Sequence, residues 1–208
     1  MVARLADRGI HGRAAAILLA LPAILLPAPA GQDQAEAHRK RALEFSQKKL
    51  WRQAVANYRE ALRLDPGDAD THYNLALALK YSGDPSGAAQ EFEAALRLKP
   101  DWAEAHFGLG AVRYELRDQT AALRQFRAAV AADPRNAGAH YFLAVVLMER
   151  RELPEAIAAL RKTLEISPSH REACVALGLC QLQQQDPSGA AEQLRRCTAG
   201  RPPSAEAH

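Results

Sequence analysis

Pro66, Pro100, Pro134, Pro168 and Pro202 stand 34 residues apart in a chain of 208 residues. A fixed step of this length marks stacked supersecondary units, each too small to bury its own hydrophobic face and completed only by its neighbours. Counting each unit so that its proline is the thirty-second residue gives 35–68, 69–102, 103–136, 137–170 and 171–204, with a short tail at 205–208. Before the units lie 1–30, which read differently.

Other residues keep the same phase. Position 20 is Ala in every unit: Ala54, Ala88, Ala122, Ala156 and Ala190. Position 24 is large and apolar (Tyr58, Phe92, Phe126, Leu160, Leu194), and position 27 is small (Ala61, Ala95, Ala129, Thr163, Cys197). Position 7 carries Leu75, Leu109, Leu143 and Leu177, each followed by Ala or Gly. A small residue lets two helices approach, and a large one fills the space beside it. Apolar residues from Thr71 to Tyr81 fall at helical spacing, and no strand pattern competes. The position 32 proline closes the second helix of each unit, and Asp68, Asp101, Asn136 and Ser169 are candidate caps of the next. Asp101 with Glu104, and Ser169 with Glu172, have capping-box spacing. Turn residues at 82–87 and 186–189 join the two helices of a unit.

Together these positions make the chain resemble the tetratricopeptide repeat (TPR) family from 35 to 204. The first unit is the weakest match, with Arg41 and Ala42 where later units have Leu followed by Ala or Gly. The family's Trp at position 4 is replaced by His38, His72, His106, His140 and Cys174. The resemblance implies an all-α fold, a right-handed α-solenoid of five helix-turn-helix units whose first helices line a concave groove. It also implies which positions face a ligand, namely 2, 5, 6, 9, 12 and 13. The first unit then presents the polar set Glu36, Arg39, Lys40, Ser46 and Gln47. The middle units present an aromatic and apolar strip: Tyr73, Asn74, Leu77, Phe107, Tyr114, Tyr141, Phe142, Val145 and Met148, with Tyr73, Phe107 and Tyr141 as a ladder at position 5. Such a strip suits an extended segment or an amphipathic helix; the alternative is packing between repeats. Co-chaperone members hold an acidic C-terminal carboxylate with Lys and Asn, and here only Asn74 beside Arg39 fits that pattern, so chaperone tails are not expected partners.

Residues 1–30 read as a secretory signal peptide. Arg4, Arg8 and Arg13 lead into an apolar run from Ala14 to Leu26, and Ala28-Pro29-Ala30 offers a small-x-small cleavage site. Export to the periplasm or the cell exterior is expected; an uncleaved leader anchoring the chain in a membrane is the alternative. The whole chain carries 27 Lys and Arg against 24 Asp and Glu, and the leader takes three of the basic and one of the acidic residues with it. The near-neutral remainder lacks the clustered basic excess of a nucleic-acid binder, and Arg39-Lys40-Arg41 reads as a solvated helix face.

Five units and a leader account for nearly all of the sequence, and no phosphate loop, nucleophile elbow or zinc-protease motif occurs. A non-catalytic scaffold without cofactor is therefore expected, with a protein or peptide partner. A module that self-associates through an uncapped fifth repeat is the alternative. The position 4 histidines stand a whole repeat apart, too far to share a metal; they read as half-buried replacements for the packing Trp. All three cysteines lie in the fifth unit. An antiparallel helix pair brings positions 4 and 27 to one end, so Cys174 and Cys197 are the candidate disulfide and Cys180 the odd thiol; three reduced, packed cysteines are the other reading. Alkylation without reductant followed by mass spectrometry decides between them: the bridge predicts that Cys180 alone can be labelled, and three labelled thiols reject it.

Overall fold

The computed structural model describes residues 30–199, and side chains from 31 to 197. The expected signal peptide, the tail at 205–208 and the end of the fifth unit lie outside the described residues. Ten helices follow one another: α1 (Ala30–Gln47), α2 (Trp51–Leu64), α3 (Ala69–Tyr81), α4 (Pro85–Leu98), α5 (Ala103–Glu115), α6 (Gln119–Ala132), α7 (Ala137–Glu149), α8 (Leu153–Ile166), α9 (Arg171–Gln183) and α10 (Pro187–Ala199). Each packs on the helix before and the helix after it, and the first helices of neighbouring repeats also touch from α3 to α5 and α5 to α7. The result is a solenoid of five helix pairs, with no strand among the described residues.

What sets the spacing within a pair is a large side chain seated on a small one. Phe92, Phe126 and Leu160 at position 24 are fully buried, as is every position 20 alanine. A Cβ added at Gly110 would come within 2.8 Å of the Phe126 ring, and one at Gly178 within 2.9 Å of Leu194. Gly108 repeats the contact between repeats: its added Cβ would lie 2.5 Å from the Phe92 ring of the preceding unit. The Phe92 and Phe126 rings thus fill the space that a missing side chain leaves on a first helix.

Turn chemistry is as periodic as packing. The residue at position 15 adopts positive φ in all five units, as Lys49, Gly83, Arg117, Arg151 and Gln185, although only Gly83 takes that conformation without steric cost. Second helices begin at Asp84, Asp118 and Asp186, whose carboxylates accept from the backbone N–H groups of Gly87, Ala121 and Gly189.

Two of the expected first-helix caps, Asp68 and Asn136, are borne out, and the helices at Asp101 and Ser169 start one residue later. The caps are at position 34: Asp68 accepts from Asp70 and Thr71, Asn136 from Ala139, and the His170 ring nitrogen from Ala173. Trp102 holds the same place without a side-chain cap bond. Asp101 and Ser169 therefore do not cap, because the proline-led loop needs two residues to turn before the helix begins.

The position 4 side chains tie each unit together. The Nε2 atoms of His72, His106 and His140 lie 3.1, 2.8 and 3.1 Å from the carbonyls of Pro66, Pro100 and Pro134 at the end of the preceding unit. A carbonyl only accepts, so Nε2 donates in all three. On the other side Nδ1 of His72 and His106 meets Glu91 at 2.6 Å and Gln125 at 2.8 Å on the second helix of the same unit. His38 reaches Asn57 in the same way, at 3.3 Å. The proline is thus an acceptor as well as a helix stop.

Because each repeat contacts only its neighbours, losing one ring weakens two interfaces. Phe126→Ala is expected to cost about 3–5 kcal/mol, read as a lower urea midpoint for unfolding of the full chain.

Candidate functional site

The expected groove would be lined by α1, α3, α5, α7 and α9, whose position 9 residues are Leu43, Leu77, Ala111, Val145 and Leu179. Every one of these is apolar. The middle three are half-buried, whereas Leu43 and Leu179 are 50% and 47% exposed. At the far end Val175 and Leu182, at positions 5 and 12 of α9, are also exposed, so α9 presents a three-residue apolar stripe one helical turn apart. Leu43, Val175, Leu179 and Leu182 are missing from the strip expected from sequence. The positional rule that selected Leu77 and Val145 selects them as well, once it is applied to the terminal units.

The nine expected groove residues are all half-buried. The tyrosine rings at position 5 lean toward the end of their own unit: Tyr73 lies 4.6 Å from the Trp102 ring and 5.6 Å from Phe92, and Tyr141 lies 4.7 Å from His170. Phe107 and Phe142 meet at 5.6 Å, and each also approaches Phe126. These aromatic contacts stiffen the strip while leaving part of each ring toward solvent. Leu77, Val145 and Met148 are packed against the core from the same side. Tyr114 donates its hydroxyl to Glu149, which Gln119 also reaches at 2.6 Å. That bond to Glu149, with burial second, holds the Tyr114 phenol above its ordinary range. Burial, then the charges of Glu104 and Glu172, does the same for Tyr73 and Tyr141. All three remain hydrogen-bond donors at neutral pH.

At position 5 the first repeat carries a charge, Arg39, where the later units have Tyr73, Phe107, Tyr141 and Val175. Arg39 is held by Glu36 at 2.9 Å, Asp65 at 3.2 Å and Asp68 at 2.9 Å. Three carboxylates around one guanidinium leave it little to offer a ligand, and Asn74 beside it lines a small hollow with Asp68 and Thr71.

At the opposite end the Cys174 and Cys197 sulfurs are bonded, with Cα atoms 5.8 Å apart, and Cys180 is buried and free. Burial pushes the Cys180 thiol up. Among the described residues no group of three or more His, Cys, Asp or Glu side chains converges as a metal site, and no helix is long and apolar enough to cross a membrane.

Models of the tetratricopeptide repeat match residues 73–125, 112–171 and 148–208, and a further TPR repeat model matches 43–83. The chain belongs to the tetratricopeptide repeat family. No curated protein matches it. Among solved structures this TPR chain is similar to MamA 41-end from Desulfovibrio magneticus RS-1, at 26% identity over 82% of this chain and 96% of that one, with a TM-score of 0.76. It is also similar in fold to YrrB, described as a TPR protein with an unusual peptide-binding site, at 22% identity, 82% and 92% coverage and a TM-score of 0.70. PilF of Pseudomonas aeruginosa shares the fold at 19% identity, 84% and 79% coverage and a TM-score of 0.70.

Asp68 joins the first two TPR units, and its ionisation is coupled to folding. Burial raises its pKa, but the Thr71 hydroxyl and backbone N–H, the Arg39 charge and the Asp70 N–H outweigh this and leave it lowered from 3.8. A depressed carboxylate contributes stability above its unfolded pKa, about 3.9, and loses it as pH falls through the folded value. Urea unfolding between pH 6 and 3 is expected to show an acid loss of stability that is smaller in Asp68→Asn.

Proposed function

We propose that this chain is a non-catalytic, exported TPR scaffold that binds a peptide or protein segment along its aromatic and apolar concave groove. The observation that carries this reading is the unbroken apolar line at position 9, which leaves Leu43 and Leu179 half exposed at its two ends. A soluble protein exposes a run of large apolar side chains at a cost that binding removes. The partly buried aromatic rings beside it supply contact area with little side-chain entropy to lose. Solenoids use extended concave surfaces in this way, and TPR proteins bind protein or peptide partners.

The chemistry of the strip defines its ligand. Arg39 is already neutralised by three carboxylates, so apolar contact outweighs charge. The fitting partner is an amphipathic helix or an extended segment with apolar side chains at regular intervals, while Asn74 and the protonated tyrosines hold its polar edge. A second reading, self-association through the fifth repeat, rests on Val175, Leu179 and Leu182, an exposed stripe on the last first-helix.

One variant pair separates the two readings. Leu43 and Leu179 are exposed, so Leu43→Asp and Leu179→Asp leave the core intact. Affinity capture from the native envelope fraction, with the double variant as control, is expected to lose a specific partner by at least about tenfold, with melting temperature and sedimentation unchanged. Equal recovery of the same proteins by both forms would overturn the groove reading. A shift from oligomer to monomer in Leu179→Asp alone would favour self-association.

A further inference from the structure

A cavity of about 690 Å³ opens on the opposite side of the stack, between α8 and α10 with α9 as its floor. Its origin lies in the repeat pattern. In the three earlier clefts of this kind, the position 4 histidine extends over the floor helix to the proline carbonyl of the preceding unit. In the fifth unit that position is Cys174, whose sulfur is drawn to Cys197 on α10. No imidazole reaches Pro168, and Pro168 and Cys174 both line the cavity.

The ion pair that bridges the neighbouring cleft is absent here too, as it is in the first two clefts, where the equivalent residues are Arg59 and Gly87, and Glu93 and Ala121. Between α6 and α8, Arg127 at position 25 forms a forked ion pair with Glu155 at position 19 of the next second helix, at 2.8–3.2 Å. Between α8 and α10 the equivalent residues are Arg161 and Gly189, which cannot pair. The amide of Gln181 sits over Gly189, since a Cβ there would meet its nitrogen at 2.7 Å. Its oxygen is buried and has no hydrogen-bond partner among the described residues.

The polar groups around the opening are therefore unevenly satisfied. Glu165 is paired with Lys162, and Glu192 with Arg196. Arg161 and Arg171 are exposed, and neither forms an ion pair among the described residues. Position 1 is Ala in the other four units and Arg171 only here, so the extra cation appears where the cleft is open.

We infer that this cleft is a second binding site, separate from the concave groove, for a small acidic ligand that carries its own N–H donor. A carboxylate would lie on the Arg161 and Arg171 guanidiniums, whose planar forks match it. The N–H at the other end would satisfy the buried Gln181 oxygen, whose unpaired state is costly. The volume suits a molecule of amino-acid or dipeptide size. An acidic amino acid, free or as the end residue of a peptide, has both groups.

The test is titration of the isotopically labelled full chain with L-glutamate, glycyl-L-glutamate and glutarate, followed by amide chemical shifts. Saturable shifts confined to α8, α9 and α10, with a Kd on the order of 1 mM for the better of the first two, are expected. Stronger binding of the dipeptide assigns the site to peptide ends, and stronger binding of glutamate to the free acid. Glutarate has the carboxylates without the N–H and is expected to bind at least about tenfold more weakly. The surface variant Arg161→Gln/Arg171→Gln is expected to lose binding while leaving the melting temperature unchanged. Cys174→His/Cys197→Ala, which restores the imidazole, is expected to close the cleft. The absence of saturable shifts, equal binding of glutarate, or binding unaffected by the two arginine substitutions would overturn the assignment. The concave-groove reading stands or falls independently, because Leu43→Asp and Leu179→Asp do not touch this cleft.

Discussion

The stack depends on one contact repeated five times: a bulky side chain at position 24 of the second helix pressed onto a small residue at position 8 of the first. Phe126 against Gly110 shows how little room there is, since one methyl would come within 2.8 Å of the ring. That contact fixes the separation of the helices in a pair. The pair's shape in turn fixes where the next unit docks, and Phe92 against Gly108 carries the same fit across the boundary. Dispersion contacts at this density fall off steeply when a gap opens. A solenoid whose repeats pack only on their neighbours therefore relies on them in every repeat.

Polar links reinforce the packing at the ends of the units. The chain needs a histidine donor at position 4 because each terminal proline leaves its carbonyl pointing at the following repeat. At His72 and His106 one ring joins the first helix, the second helix and the preceding loop. Where position 4 is Cys174, a covalent link to α10 takes over the pairing within the unit, but the link to the preceding loop is absent. The fifth repeat is thus closed internally and open toward its neighbour. Position 5 shows a related asymmetry, with the ion-paired Arg39 on α1 and the exposed Val175 on α9.

Much of this was legible in the chain. Periodicity located the helices, and the positions whose size recurs, such as Ala54 to Ala190 and Phe92 to Leu194, are those that pack. The helix starts were misplaced by one residue at Asp101 and Ser169, since loop geometry depends on φ and ψ and not on the presence of a capping side chain. The positive φ at Arg117 and Arg151 gave no signal for a related reason: only Gly83 advertises it. In the groove, the family's positions picked out Leu77 and Val145 without showing that the Tyr73 and Tyr141 rings lean on Trp102 and His170. Such leaning is set by neighbours roughly 30 residues away.

By itself the sequence determined the unit, the number of repeats and the residues that face inward, because a 34-residue period of size and shape has few physical solutions. Tertiary structure decided what lies between units. Whether a cleft is filled depends on whether a side chain from one repeat finds its partner on the next, as His140 finds the Pro134 carbonyl while Cys174 is bonded to Cys197 and leaves the cleft by Pro168 open. Each of those residues is unremarkable alone, and only the register of one helix against another makes the pair a bridge or a gap.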